Sequence, residues 1–358
     1  MTLQILSPLQ RFRELDLLSS EGKPRLAAAH GFFRRGKNED QELLESLYVY
    51  WRDLPEFMVL RKELMNPRTF SSEWQYVAVK CSKRGNDVYA SRVKRRLNWL
   101  SNCENVQFFD VSDFSTVKKV FTSALWITLT WDTKRGSRLE AWEKDVSVDF
   151  NRYISALRRK YGRISVLRTW EATAKGYPHV HAILLFHEAK FSVFPHLAKD
   201  EEGREKLTFR ISEKDQVASY WHSPVVDVQA VSSTKKLFNY MRKYQTKTLL
   251  ASDSPKGVST MSLMWLFRKR GFSVSGDFRA RLHDLIRTLH NSNMEMVQSR
   301  LDGSLEESSP WVFVGVFTAA EIGILSDRWT AHLNKEQISR VLEKESRLPR
   351  RYGDELND

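Results

Sequence analysis

The chain has 358 residues, a formal net charge of +13 and 41% hydrophobic residues. This balance excludes disorder over the whole length, leaves room for two or three ordinary cores, and points to a polyanionic partner, because clustered Lys and Arg neutralise phosphates and release counterions. No run approaches the length of a membrane span, Met1 to Phe12 lacks the layout of a secretory signal, and Cys81 and Cys103 build neither a zinc ribbon nor a disulfide scaffold, so a cytoplasmic protein without membrane contact is expected.

In chain order, Leu3 to Asn66 is expected to be mainly helical, with Leu43, Leu44, Leu47, Tyr48 and Trp51 near helical spacing and the basic cluster Phe33 to Lys37 as an interrupting loop. Pro67, Ser71 and Ser72 mark a boundary, so residues 1–72 are read as a helical accessory region. Gln75 to Lys80 then reads as a strand, Ser82 to Asn86 as a turn, and Asp87 to Leu100 as a basic helix. Its Arg92, Arg95 and Arg96 are candidate DNA contacts, and a solvated helix face accounts for them equally well. Ser123 to Trp131 is a strongly apolar strand with threonines at alternating positions 128 and 130. An amphipathic helix from about Glu140 to Tyr161 follows, with Trp142, Val146, Phe150, Ile154 and Leu157 on one face.

Arg163 to Thr173 and Pro178 to Phe186 read as two strands of a hairpin, joined by the turn-forming residues Ala174, Lys175, Gly176 and Tyr177. In the second strand His179 and His181 share one face, because side chains alternate with period two. If Glu171 pairs across from His179, the same register sets Thr169 across from His181 and brings Glu171 onto the histidines' face. Two imidazoles and a carboxylate then converge as ligands for a divalent cation. Phe191 to Lys206, with Pro195 and a charged string, reads as a surface loop, and His187, His196 and His222 beside it as ordinary surface histidines. Ser212 and Asp215 suggest a capping box for a helix to Trp221. Val225 to Val231 is a further strand. Strand, helix, strand, strand, helix, strand is the split ferredoxin-like layout. The expected fold is therefore α+β, an antiparallel ferredoxin-like sheet over residues 73–250, with its core at about 120–248, flanked by accessory regions.

Ser232 or Ser233 caps a helix carrying KKLFNYMRKYQTK, residues 235–247. Tyr240 and Tyr244 lie four apart on one face, and each has a lysine three residues later, Lys243 and Lys247. A phenol beside a cation is easier to ionise. A tyrosine phenolate can attack a phosphodiester, and imidazole and carboxylate ligands with open positions suit Mn²⁺ or Mg²⁺ to polarise the phosphate. Leu237 and Met241 share that side, so the tyrosines are also readable as core residues. Beyond a turn-rich linker, Ser252 to Gly257, the cations Arg268, Lys269 and Arg270 interleave with Trp265, Phe267 and Phe272, either as a DNA contact or as a solvated helix end. Arg279 to Leu301 is expected to be helical, Trp311 to Phe317 a strand and Lys335 to Glu345 a helix, making 251–358 an α/β accessory region. No GxxxxGK phosphate loop followed by Ser or Thr is present, so unwinding falls to a host helicase.

Three segments in order, WITLTW (126–131), PHVHAILLF (178–186) and YMRKYQTK (240–247), resemble the motifs of the HUH endonucleases, and among them the rolling-circle replication initiators. The third is similar to the two-tyrosine helix of initiators of small single-stranded DNA phages, and MWLFRKRGFSVSGDF (264–278) to a segment of archaeal plasmid and virus initiators. The resemblance implies metal-dependent nicking and joining of single-stranded or hairpin origin DNA through a covalent 5′-phosphotyrosine, with host helicase and polymerase as partners, and ranks Tyr244 ahead of Tyr240. An HUH transposase shares this chemistry. A non-enzymatic binder, with Trp126 and Trp170 stacking bases, is the alternative of another class.

Overall fold

The computed structural model describes residues 7–65, 69, 71–97, 107–116, 119–199, 203–223, 225–236, 238–239, 254–275, 278, 310–325 and 327–346. The chain divides into two compact units, one of residues 1–51 and 90–291, the other of residues 52–89 and 292–358. Both are discontinuous in sequence, unlike a linear division at 72 and 250. The described residues are mixed α+β, and every strand pairing among them is antiparallel.

The second unit is a four-stranded sheet in the order Val312–Thr318, Glu56–Met65, Ser72–Lys80, Thr330–His332. The stretch EFMVLRKELM, expected to be helical, is one of its central strands. Its Leu, Lys, Glu and Met favour helix only weakly, and pairing on both sides, with Val59 and Phe57 buried in one cluster with Phe317, Ile322 and Val341, overrides that preference. Helix Lys335–Glu345 starts with a capping box, Asn334 accepting from the Gln337 N–H and Gln337 from the Asn334 N–H.

The first unit holds a five-stranded sheet in the order Phe272–Val274, Ile164–Ala172, Pro178–Phe186, Ala124–Thr130, Val226–Ala230. Helix Val146–Tyr161 lies between Ala124–Thr130 and Ile164–Ala172 in sequence, and the short helix Lys214–Ala218 precedes Val226–Ala230. Along each strand alternate residues face opposite ways. One face carries Leu125, Ile127, Leu129, Val180, Leu184, Val166, Trp170 and Val228, all buried. Phe150 from helix Val146–Tyr161 meets Trp170 there edge-on, with ring centroids 6.2 Å apart. The other face carries Trp126, Thr128, Thr130, His179, His181, Thr169 and Glu171.

Several local expectations are corrected. The cluster Phe33 to Lys37 is not a plain loop: Gly31–Arg35 forms a π-helical turn continuing helix Leu26–His30, because Phe33 is fully buried. The long helix begins as a turn at Arg138–Glu140, passes through a π-helical turn at Ala141–Asp145 and becomes regular only from Val146. Residues 191–206 are no loop: Phe191–Lys199 and Glu205–Ile211 pair as a hairpin, extended by Val120–Thr122. Buried Phe191, Val193 and Ile211 anchor it, and the charged string forms its far end. Ser212 does not cap the helix that follows, which has Glu213 at its N-cap and no side-chain cap bond. The region read as a linker already contains a helix, Pro255–Leu266, capped by Ser254 accepting from the Gly257 N–H at 3.1 Å. The expected helix over Arg279–Leu301 lies outside the described residues. No described helix is long and apolar enough to cross a membrane.

Candidate active site

The hairpin register is the one that alternation and turn chemistry predict. Glu171 stands opposite His179 and Thr169 opposite His181. The turn between the strands is held by Thr173 N–H on Tyr177 O at 2.8 Å and Gly176 N–H on Thr173 O at 2.8 Å, with Gly176 at φ +77°. Only glycine takes that backbone conformation without cost. Trp142, fully buried, donates from Nε1 to Gly176 O at 2.7 Å and ties the turn to the π-helical segment.

Glu171 and His181 are both buried, at 5% and 4% exposure, and Glu171 Oε2 lies 3.0 Å from His181 Nε2. The His179 and His181 ring centroids sit 4.7 Å apart. Strand Ala124–Thr130 supplies a further layer, because its register sets Thr128 opposite His181 and Thr130 opposite His179. Thr128 Oγ1 is 3.2 Å from His181 Nδ1, and Thr130 Oγ1 is 3.3 Å from His179 Nδ1. Trp126, next on the same face, stacks on the His181 ring at 5.5 Å. A hydroxyl both donates and accepts, so each threonine suits either tautomer of its imidazole. Thr128 donates to Nδ1 while Nε2–H bonds Glu171, and it accepts from Nδ1–H when Nε2 presents its lone pair.

Helix Pro255–Leu266 lies against the glutamate strand, where Thr260 Oγ1 accepts from the Ala172 N–H at 2.9 Å. From its first turn Lys256 Nζ reaches Glu171 Oε1 at 2.9 Å. Burial pushes the Glu171 carboxyl up, but the hydrogen bonds and charges of His181 and Lys256 outweigh it and hold the group at about 2. Burial and the neighbouring His181, with Lys256 adding, drive His179 down to about 4 against the pull of Glu171. At neutral pH this site is thus an ionised carboxylate beside an uncharged His179, the protonation state a cation needs from its ligands.

Among the described residues no three His, Cys, Asp or Glu side chains form a ready-made cation cage. Glu171 is turned instead to His181 and Lys256. The donor set nonetheless fits a divalent cation. Two nitrogen ligands and an oxygen share a face, a hydroxyl steadies each imidazole from behind, and an ammonium stands at the carboxylate where a metal's charge would act.

The remaining predicted site residues divide. Tyr240, Lys243, Tyr244 and Lys247 lie outside the described residues. Helical residues 234–236 and 238–239 lead to them, and Ser233 Oγ accepts from the Lys236 N–H at 3.3 Å. Arg92 and Arg95 are exposed on helix Asp87–Leu97, which also carries Arg96. Arg268 and Arg270 are exposed, whereas Lys269 is half-buried and donates to Glu143 O at 3.1 Å and Ser147 Oγ at 2.8 Å. Trp265 and Phe267, expected to interleave with these cations as a stacking surface, are core residues, and Trp265 packs on Tyr48 and Trp51. Trp170 is buried against Phe150 and Trp126 is 3% exposed, so neither is an open stacking platform. His222 is not a surface residue either: its side chain is 16% exposed, packed against Trp131 and Trp221. Beside Trp126 a cavity of about 470 Å³ opens, lined among others by Lys206, Phe209, Gln229, Ser232 and Lys236.

Thr128, Thr130 and Lys256 are parts of the site that the sequence does not assign to it. The alternating threonines are a visible signal; Lys256 carries none.

No curated protein matches the chain significantly. Residues 124–249, roughly a third of the chain, match the family model of the replication-associated protein ORF2. The match begins at the threonine strand, spans the histidine hairpin and ends just past the two-tyrosine segment, so this part of the chain is similar to replication-associated proteins.

Proposed function

We propose that the chain is a rolling-circle replication initiator of the HUH type: a metal-dependent, site-specific endonuclease and strand transferase for single-stranded DNA, on a ferredoxin-like sheet. The reading rests above all on His179, His181 and Glu171 sharing one sheet face with both Nδ1 atoms held by threonines. The strand order and the match to replication-associated proteins support it. His179, His181 and Glu171 would hold Mn²⁺ or Mg²⁺, which when bound polarises a phosphate oxygen and offsets the charge of the transition state.

The chain's own residues supply the rest. Tyr244, as phenolate, attacks the scissile phosphorus; a bond forms between the tyrosine oxygen and phosphorus, the P–O3′ bond breaks, and the leaving 3′ oxygen takes a proton to become the primer hydroxyl. Tyr240 performs the second transfer that rejoins the strand. Lys243 and Lys247 lower the cost of ionising these phenols and neutralise the crowded phosphate. Lys256 gives up Glu171 when a cation takes its place. The DNA next to the scissile bond runs towards Trp126 and the cavity lined by Lys206, Phe209 and Lys236.

The test is a denaturing gel of the full chain with end-labelled origin single strand, with Mn²⁺ or with chelator. A protein–DNA adduct that needs the metal and disappears in Tyr244→Phe is expected. Dependence on Tyr240 instead reverses the ranking, and an adduct that survives in the double Tyr→Phe variant refutes the mechanism.

A further inference from the structure

The helix-covered side of the same sheet holds a largely buried cation with no counter-charge. Arg168 points from strand Ile164–Ala172 towards helix Val146–Tyr161, its guanidinium 4.5 Å from the Phe150 ring centroid and 4.6 Å from that of Trp170. Its Nε donates to Ser273 Oγ at 2.8 Å, while Nη1 is buried without a hydrogen-bond partner. No carboxylate pairs with it among the described residues, and burial alone pulls its pKa down to about 10. The surroundings add positive charge: Lys269 is itself lowered by burial and by the repulsion of Arg168 and Arg34, with only Glu143 opposing. Glu143 is already paired with Arg34 at 2.7 Å.

A buried guanidinium with an orphaned N–H is costly unless something pairs it. Beside Arg168 a cavity of about 270 Å³ opens between the helix and the edge strand Phe272–Val274, lined among others by Asn151, Ser155, Arg158 and Ser273. A planar guanidinium fork, a second arginine at the rim, hydroxyls and an amide are donors that suit a tetrahedral oxyanion. We propose that this cleft is a phosphate-binding site, separate from the histidine site, in which Arg168 and Arg158 hold the oxyanion and Ser155 and Asn151 complete its hydrogen bonds. The phosphate belongs either to a small phosphorylated compound or to the backbone of bound DNA. The site does not depend on the proposed nicking activity.

The test uses the full-length protein at constant ionic strength. Inorganic phosphate is titrated by calorimetry and thermal shift against chloride as control. Saturable binding at least about ten-fold tighter than chloride is expected, abolished by Arg168→Met and weakened several-fold by Arg158→Gln. If Arg168→Met fails to fold, Arg168→Lys, which keeps the charge but not the fork, must lose most of the phosphate response. Equal phosphate and chloride responses, or a response unchanged in Arg168→Lys and Arg158→Gln, overturn the proposal. A labelled single strand separates the two sources. Displacement by phosphate and weaker binding to Arg158→Gln assign a backbone phosphate; strand binding indifferent to both assigns a small phosphorylated ligand.

Discussion

Acidification of the metal-free protein tests the electrostatics of the histidine pair most directly. His179 has its pKa lowered from 6.5 to about 4, so the folded protein resists a proton that the unfolded chain accepts readily. Below pH 6.5 the unfolded state therefore binds more protons, and the stability contribution, full above 6.5, falls away as the pH drops towards 4. From the two values the loss is about 2 kcal/mol at pH 5 and about 3 kcal/mol at pH 4. The perturbation that isolates it is His179→Gln, which keeps a polar side chain beside Thr130 and removes the titration. Urea unfolding in chelator, followed by tryptophan fluorescence at about pH 7 and pH 5, gives the comparison. The wild type should lose about 2 kcal/mol more than the variant over that interval. Carbon-labelled histidine observed by NMR should show the His179 ring still neutral at about pH 5. A ring that titrates near its unperturbed value, or a variant as acid-sensitive as the wild type, refutes the account.

Three further outcomes follow from the same geometry. Thr128→Val or Thr130→Val removes the hydroxyl behind one imidazole and should weaken Mn²⁺ binding by about 10–100-fold in calorimetry, with little change in circular dichroism. Lys256→Met frees Glu171 from its ammonium; because Lys256 is half-exposed the pair is worth only about 1 kcal/mol, so Mn²⁺ should bind several-fold more tightly at low salt and by a smaller margin at high salt. Gly176→Ala forces a side chain into a left-handed conformation, with its Cβ only 2.6 Å from Arg138 Cδ, and should cost about 1–2 kcal/mol in urea unfolding and loosen the hairpin.

The histidine hairpin is legible in the sequence because its information is local. Period-two alternation, a turn around Gly176 and one assumed pair suffice to bring Glu171 to the histidines. Elements whose identity depends on distant partners are not legible in this way. Residues 56–65 carry helix-favouring side chains and become a strand through pairing with 312–318, far away in sequence. Residues 191–199 contain Pro195 and precede a charged run, yet the partner strand 205–211 organises them. Lys256 shows the same limit at the site itself: nothing near it in sequence announces a contact with Glu171, which exists only because helix Pro255–Leu266 packs on the glutamate strand. Trp265 and Phe267 fail in the opposite direction, since interleaved cations and aromatics look alike whether the rings face DNA or a core.

The two faces of the five-stranded sheet also argue that the polar one was not selected for stability. The helix-covered face is an ordinary apolar core around Ile127, Val180 and Leu184. On the other face Glu171, His181 and Thr169 are as fully withdrawn from water, each satisfied by another side chain or by backbone, with Thr169 donating to Gly271 O at 2.9 Å. Replacing such a buried, mutually satisfied set with well-packed apolar residues is commonly neutral or stabilising, whereas removing one member strands the others. Lys256 sharpens the point. A cation in the first turn of a helix opposes the helix dipole, so its placement there is compensated chiefly by Glu171. A carboxylate, two oriented imidazoles and a displaceable ammonium form a set that folding alone does not require and that divalent-cation binding does.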